Sequence, residues 1–459
     1  MKGNKLKNLL KNKLFFAFLI IFSLVITVSN VNAIPNVDPD KIPRIRDIGL
    51  DINALSEIVK SKQLILLHPK QKLTISVQDK PKEFDNVRFI SGIALINAPV
   101  EEVKKIITDF DHYTEFMPML RNAAILEKTK DTITSDYDLV IKLPLINIGF
   151  QFVLVHKFEK NGDITWDLKE GDMSVNIGRW ETIAVSKNQT LLINTFWSDY
   201  KSVGILMRLL LNAQPDLEIA IPVSSAAMIM DSIKKRAEVN IPQEKPDLEY
   251  LPASPVIPLI TKGSISKKTL YEINKIGTIL FIHKPSWIET ESGPLEMKFI
   301  TAGGLINAPI EKVKELSLSF DRYHEFFQQV AMGKKKKHEY GFVADWSLKF
   351  SFVVFNIYVD FTTENIWANK NIITYKRIDG DLEHIYGCWE WLPVEQDKTL
   401  LFFTTAAPMG QKAPLLFKIA QMIPNSQVVM GASAGTVIIE KQIPWIEEQT
   451  KKLTENNKK

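Results

Sequence analysis

The chain of 459 residues holds one cysteine, Cys388, so no disulfide can form within it and stability has to come from buried apolar surface. Beside Trp389, that thiol reads as a small buried hydrophobe rather than a nucleophile. Metal and nucleotide chemistry lack their signatures as well: the seven histidines never fall at zinc-helix spacing, and no glycine-rich phosphate loop follows a strand pattern. No cofactor is implied. Clustered positive charge is scarce outside the first residues. Lys334 to Lys337 is a local run that beside Gly333 reads as the cap of a solvent-facing turn, and nucleic acid is not expected as a partner. After Leu14 to Val28 there is no further long apolar run.

That run follows Lys2, Lys5, Lys7, Lys11 and Lys13 and precedes Val31-Asn32-Ala33, the three-part pattern of a secretory signal over residues 1–33. Export would place the mature chain in the periplasm or another cell-envelope space. Left uncleaved, the 15-residue run would act as a short membrane anchor. Cleavage removes five lysines and no acid, which turns the formal net charge from +4 to −1. The basicity of the chain thus belongs to the signal.

What the chain does have is a repeat. Ile90 to Phe116 reads ISGIALINAPVEEVKKIITDFDHYTEF and Ile300 to Phe326 reads ITAGGLINAPIEKVKELSLSFDRYHEF, at a constant offset of 210. Weaker echoes flank it: Leu64 to His68 with Ile279 to His283 at 215, then Gly171-Asp172 and Trp180-Glu181 with Gly380-Asp381 and Trp389-Glu390 at 209. The drift marks small insertions in connections, where length changes cost little. Two units follow, 45–240 and 261–446, with a proline-rich linker at 241–260 and a polar tail at 447–459.

Inside a unit, Val100, Val103, Ile107 and Phe110 recur at helical spacing, as do Ile310, Val313, Leu316 and Phe320. Pro99 and Pro309 fit the first turn of these helices, and Asn97 or Asn307 could cap them. Strand patterns follow at 133–142, 147–158, 162–169, 172–184 and 189–199, then in the second unit at 345–356, 357–363, 371–377, 383–391 and 398–405. Phe150, Phe152, Leu154 and His156 share one strand face. Glu181 and Glu390 fall opposite Trp180 and Trp389, toward solvent. Helical patterns close each unit, 203–211 and 223–236, then 414–422 and 426–439. An antiparallel sheet with an apolar face needs such a cover.

This order, with Ile96-Asn-Ala-Pro-Val-Glu-Glu-Val103, the Asp111, Tyr113 and Phe116 segment and their second copies, resembles the helix-grip superfamily. That superfamily includes START-related lipid-transfer domains, the birch-pollen allergen fold and bacterial polyketide cyclase or coenzyme-Q-binding proteins. The resemblance implies an α+β fold of two tandem helix-grip domains, each a curved antiparallel sheet wrapped around a long C-terminal helix. It also implies an apolar pocket in each. Gly431 and Gly435 depart from the pattern by weakening the second closing helix.

The expected wall residues are Phe152, Leu154, His156, Trp166, Trp180, Trp197 and Met228 in the first unit. In the second they are Phe355, Tyr358, Tyr375, Trp389, Trp391, Phe403 and Met430. A buried His156 needs a hydrogen-bond partner, which a ligand could supply. The first reading of function is therefore binding and transport of a hydrophobic small molecule, a lipid, sterol or isoprenoid-like compound, with room for transient membrane contact. The alternative is a cyclase/aromatase-like enzyme acting on a polyketide or isoprenoid, for which His156 with Asp138, or Asp360 with Tyr358, are the candidate acid and base groups. Neither pair recurs in the other copy, so a duplicated catalytic site is not expected. Gly431-Ala-Ser433-Ala-Gly435 matches a nucleophile-elbow string, but no histidine follows it.

Overall fold

The computed structural model describes residues 38–77, 80–143, 146–241, 250–351, 356–408 and 426–456. The expected signal at 1–33, Phe355 and the helical pattern at 414–422 lie outside the described residues. The first repeat opens with α1 (Ile52–Val59), β1 (Lys62–Leu67), the hairpin of β2 (Gln71–Val77) and β3 (Lys80–Val87), and β4 (Ile90–Ile96). It continues through α2 (Val100–Ile107), β5 (Leu120–Lys128), β6 (Thr132–Leu143), β7 (Ile146–Phe158), β8 (Ile164–Gly171), β9 (Asn176–Ser186) and β10 (Gln189–Ser198), then closes with α3 (Ile205–Ala213) and α4 (Leu217–Ala237). The second repeat runs α5 (Lys267–Ile276), β11 (Thr278–His283), β12 (Ser286–Ile288), β13 (Leu295–Met297), β14 (Ile300–Ile306) and α6 (Ile310–Ser317). After it come β15 (Val330–His338), β16 (Gly341–Ser351), β17 (Asn356–Asn369), β18 (Ile372–Gly380), β19 (Tyr386–Glu395), β20 (Lys398–Ala406) and α7 (Ser426–Asn456).

The fold is α+β, with a curved antiparallel sheet and a long C-terminal helix. Sixteen strands join in the order β15-β16-β17-β18-β19-β20-β14-β11-β1-β4-β10-β9-β8-β7-β6-β5. The join between the repeats is β1 against β11, antiparallel, with Ile65 opposite Leu280. These two residues occupy equivalent positions of the repeat, so a local two-fold axis passes between them.

Both faces of the sheet centre are buried, which explains why Leu64-Ile-Leu-Leu67 and Ile90 to Ile96 are almost wholly apolar instead of alternating. On one face α4 and α7 lie side by side over β4 and β14. The steric demand is direct. A Cβ on Gly431 or Gly435 would meet Ile300 at 2.7 Å or Ala302 at 3.2 Å, while in the first repeat the clearance sits on the strand, where a Cβ on Gly92 would meet Met230 at 2.7 Å. Close packing, not bending, accounts for the glycines of α7. On the other face Leu55, Ile58 and Val59 of α1 and Leu270 and Ile273 of α5 cover Leu64, Ile93, Ile279 and Phe402.

Several expectations are corrected here. Glu181 and Glu390 do lie opposite their tryptophans, yet both are 0 % exposed, because the segments ahead of α1 and α5 fold over them. Glu181 accepts from the backbone N–H of Ile45 at 2.7 Å and pairs with Arg46 at 3.2 Å. Glu390 accepts from the N–H groups of Ile260 at 2.8 Å and Thr261 at 2.9 Å. Asn97 and Asn307 do not cap the following helices, whose N-caps are Pro99 and Pro309. They bind the closing helices instead, through Glu238 and Glu447, each by backbone N–H and side-chain amide. That contact, and Arg322 to Gln449 at 3.0 Å, hold the expected polar tail as helix through Asn456. Lys334 to Lys337 lie on β15, a strand the sequence reading missed, as it missed β5. Among the described residues, no helix is long and apolar enough to cross a membrane.

Replacing Glu181 with alanine would leave the Ile45 N–H unpaired and Arg46 with only one of its two carboxylates, Asp163 at 2.8 Å, so Glu181→Ala should cost about 2 kcal/mol in urea unfolding. Exposed Glu170→Ala, on the next strand, should stay within about 0.5 kcal/mol of the parent.

Candidate functional site: two apolar hollows under the closing helices

Between the sheet and its closing helices each repeat leaves a hollow. The first, of about 180 Å³, is lined by Phe150, Phe152, Leu154 and His156 of β7, by Trp166 and Trp180, and by Met228 and Ile229 of α4. The second, of about 380 Å³, is lined by Val359, Phe361, Thr363 and Asn365 of β17, by Tyr375, Trp389 and Phe403, and by Met430 and Val437 of α7. Empty apolar cavities near 150 Å³ stay dry and take up benzene-sized molecules, and ligand sites commonly start at about 300 Å³. The second hollow is therefore in the range of a bound ligand.

Glycines make room for the aromatic walls. A Cβ on Gly178 would sit 2.1 Å from the Trp166 ring, and one on Gly387 would sit 2.3 Å from the Tyr375 hydroxyl. Each ring therefore lies flat across a strand that has no side chain at that point, at equivalent positions of the two repeats.

Most of the expected wall residues are brought together: Phe152, Leu154, His156, Trp166, Trp180 and Met228 in one hollow, and Tyr375, Trp389, Phe403 and Met430 in the other. Three are not. Trp197 falls between Phe196 and Ser198, which face the first hollow, so strand alternation turns it to the opposite side against Phe84, ring centres 5.3 Å apart. Tyr358 is 51 % exposed for the same reason, since Val359 and Phe361 take the inward positions. Trp391 lies two residues beyond Trp389, past the end of the hollow, where its Nε1 donates to Ser317 Oγ at 2.9 Å. The underlying slip was one of register. The expected break near residue 356 placed Tyr358 where the offset of 209 puts Phe361 opposite Phe152, Thr363 opposite Leu154 and Asn365 opposite His156.

His156 is the polar centre of the first hollow. Its Nε2 lies 3.0 Å from Ser135 Oγ and 3.2 Å from Tyr137 Oη, and Ser135 donates to Tyr137 at 2.9 Å. Phe110 stacks on the imidazole with ring centres 4.3 Å apart, and Nδ1 is buried without a hydrogen-bond partner. Ser135 and Tyr137 escaped the sequence reading, although their alternate spacing on the strand beside β7 was a usable signal. The candidate pairs for acid and base work are not assembled. Asp138 faces away from the hollow and pairs with Arg121 at 2.6 Å, while Asp360 and Tyr358 are both exposed. Gly431 to Gly435 lie inside α7 and not on a strand-to-helix elbow. Cys388 is buried, and burial pushes its thiol up, as expected of a small core residue.

The family described as polyketide cyclase / dehydrase and lipid transport matches residues 96–236, from the last residue of β4 to the last turn of α4. No curated protein matches the sequence. Among solved structures, the di-domain ARO/CYC StfQ from the steffimycin biosynthetic pathway is similar at 11% identity, over 78% of this chain and 95% of that one, with a TM-score of 0.25. Zhui aromatase/cyclase from Streptomyces is similar at 12% identity, over 34% of this chain and 96% of that one, with a TM-score of 0.29. Human StAR-related lipid transfer protein 5 is similar at 13% identity, over 34% of this chain and 78% of that one, with a TM-score of 0.27. Residues 96–236 thus resemble the polyketide cyclase / dehydrase and lipid-transport family.

Burial pushes the His156 imidazole down from its ordinary 6.5 to about 3. Between those values the unfolded chain binds the extra proton, so stability is lost as pH falls through that window. His156→Asn, the residue of the second repeat, should flatten the dependence of unfolding free energy on pH below 6 by about 1.4 kcal/mol per pH unit. Urea titrations at pH 7, 6, 5 and 4 would measure it.

Proposed function

We propose that residues 45–240 and 261–446 are two tandem helix-grip domains joined by the 241–260 linker, and that the chain binds a hydrophobic small molecule in their hollows. The observation that carries this reading is the second hollow of about 380 Å³, walled by aromatic and aliphatic side chains and closed by α7. Such a wall offers a lipid, sterol or isoprenoid-like molecule the same relief from water as a membrane, about 0.8 kcal/mol for each CH2 group. The secretory pattern of residues 1–33 supports a place in the cell envelope, where carriage across an aqueous gap would be the use of such binding.

A second reading is a cyclase/aromatase-like enzyme acting on a polyketide or isoprenoid. The family that residues 96–236 resemble supports it by including cyclases and dehydrases beside lipid-transport proteins. So does the Ser135-Tyr137-His156 cluster, a neutral imidazole bridged to two hydroxyls against an apolar cavity. For the first hollow these two grounds favour chemistry over carriage. In that role His156 would accept a proton from a bound substrate while Tyr137 and Ser135 hold the ring in place.

Solvent extraction of the purified full chain followed by mass spectrometry should release a hydrophobic molecule at near one per chain. Val437→Phe, which fills the second hollow, should lower that yield at least about tenfold while the cooperative unfolding transition is kept. Recovery of nothing from the parent, or the same yield from Val437→Phe, would remove the binding reading of that hollow.

A further inference from the structure

The second hollow is not walled by the second repeat alone. Gln214, Asp216, Leu217 and Ala220, from the α3 to α4 connection and the start of α4, complete it. Contacts between the repeats hold that edge in place. Gln329 Nε2 donates to Gln214 Oε1 at 3.1 Å, and Lys441 on α7 pairs with Asp216 at 3.2 Å. A little further along α4, Ser224 Oγ lies 3.3 Å from Ser433 Oγ.

At this same edge Gln329 Oε1 is buried with no hydrogen-bond partner. A buried amide oxygen is costly to leave without a donor. Other polar groups of the wall are spent on the protein itself: Asn365 Nδ2 donates to Thr363, Tyr375 Oη to the Thr404 carbonyl, and Gln427 Nε2 to the Glu296 carbonyl. Charge is balanced too. Among the described lining residues there is no Lys, Arg or His, and the one carboxylate, Asp216, is answered by Lys441. A carboxylate brought into this hollow would lose its water and find no free cation, whereas a neutral hydroxyl could donate to the waiting oxygen.

We infer that the second hollow is a composite site, in which Gln214 of the first repeat and Gln329 of the second form a polar clasp that selects an uncharged ligand with an apolar body and one terminal hydroxyl. The hydroxyl donates to Gln329 Oε1, and Gln214 holds the Gln329 amide in the orientation that presents that oxygen. This names the ligand class for the binding reading above and rests on that reading.

The test uses the full chain and three probes of equal chain length: 1-decanol, methyl decanoate, which has no donor, and decanoate at pH 8. Calorimetric titration should give 1-decanol about tenfold tighter binding than either of the others, the worth of one buried hydrogen bond. Gln329→Met, close in volume, should reduce 1-decanol to the level of the ester and leave the ester unchanged. Gln214→Met should erase the preference as well, a result that a site built by the second repeat alone would not give. Equal binding of all three probes, or an undiminished alcohol preference in both variants, would overturn the clasp while leaving the hollow a binding site. Failure of all three to bind would remove the binding reading and the clasp with it.

Discussion

One short pairing organises the molecule: β1 lies antiparallel to its own counterpart, β11, and turns two sheets into one. Without it, each repeat would end its sheet at a strand whose inward and outward side chains are both apolar, a backbone edge with nothing to bond and a surface with nothing to cover it. The pairing satisfies the edge. Helices α1 and α5 satisfy the outer surface, and they stay there because the segments ahead of them are fastened to Glu181 and Glu390. A buried carboxylate that receives backbone N–H groups is a fixed point, since releasing either partner leaves a charge or a donor stranded in the interior.

With the outer face sealed, the inner face is free to remain incompletely filled. The closing helices touch the sheet where glycine permits, over β4 and β14, and stand off where Trp166 and Tyr375 lie flat across β9 and β19. The hollows are therefore consequences of where bulk is placed and not of loose packing. Their different polar content follows from single positions: His156 answers to Asn365, and Tyr137 to Trp346, so the same scaffold presents an imidazole in one repeat and amides in the other.

Much of this was legible in the sequence because the repeat could be read against itself. The opening helix, its aromatic turn, most strands and the closing helices recur at offsets that drift only in loops, and period-two alternation placed Phe152, Leu154 and His156 correctly. What failed had physical causes. Glu181 and Glu390 alternate like surface residues, and nothing local reveals that a segment more than a hundred residues earlier returns to bury them. Tyr358 was misplaced because β17 is 14 residues long and its start was set one face out of step. Gln214 could not be found at all, since it joins a hollow of the other repeat and local pattern carries no trace of contacts between repeats.

Among the described residues the sheet ends at two margins, β5 and β15, and an unpaired strand edge is a template for a further chain. The cationic run Lys334 to Lys337 lies along one of them, with Lys335 tucked over Phe342 and bound to the Leu318 carbonyl while Lys334, Lys336 and Lys337 stand in water. Two such margins paired in register would set like charges opposite one another, which is destabilising. The exposed lysines thus disfavour pairing of the β15 margin with the same margin of a second molecule.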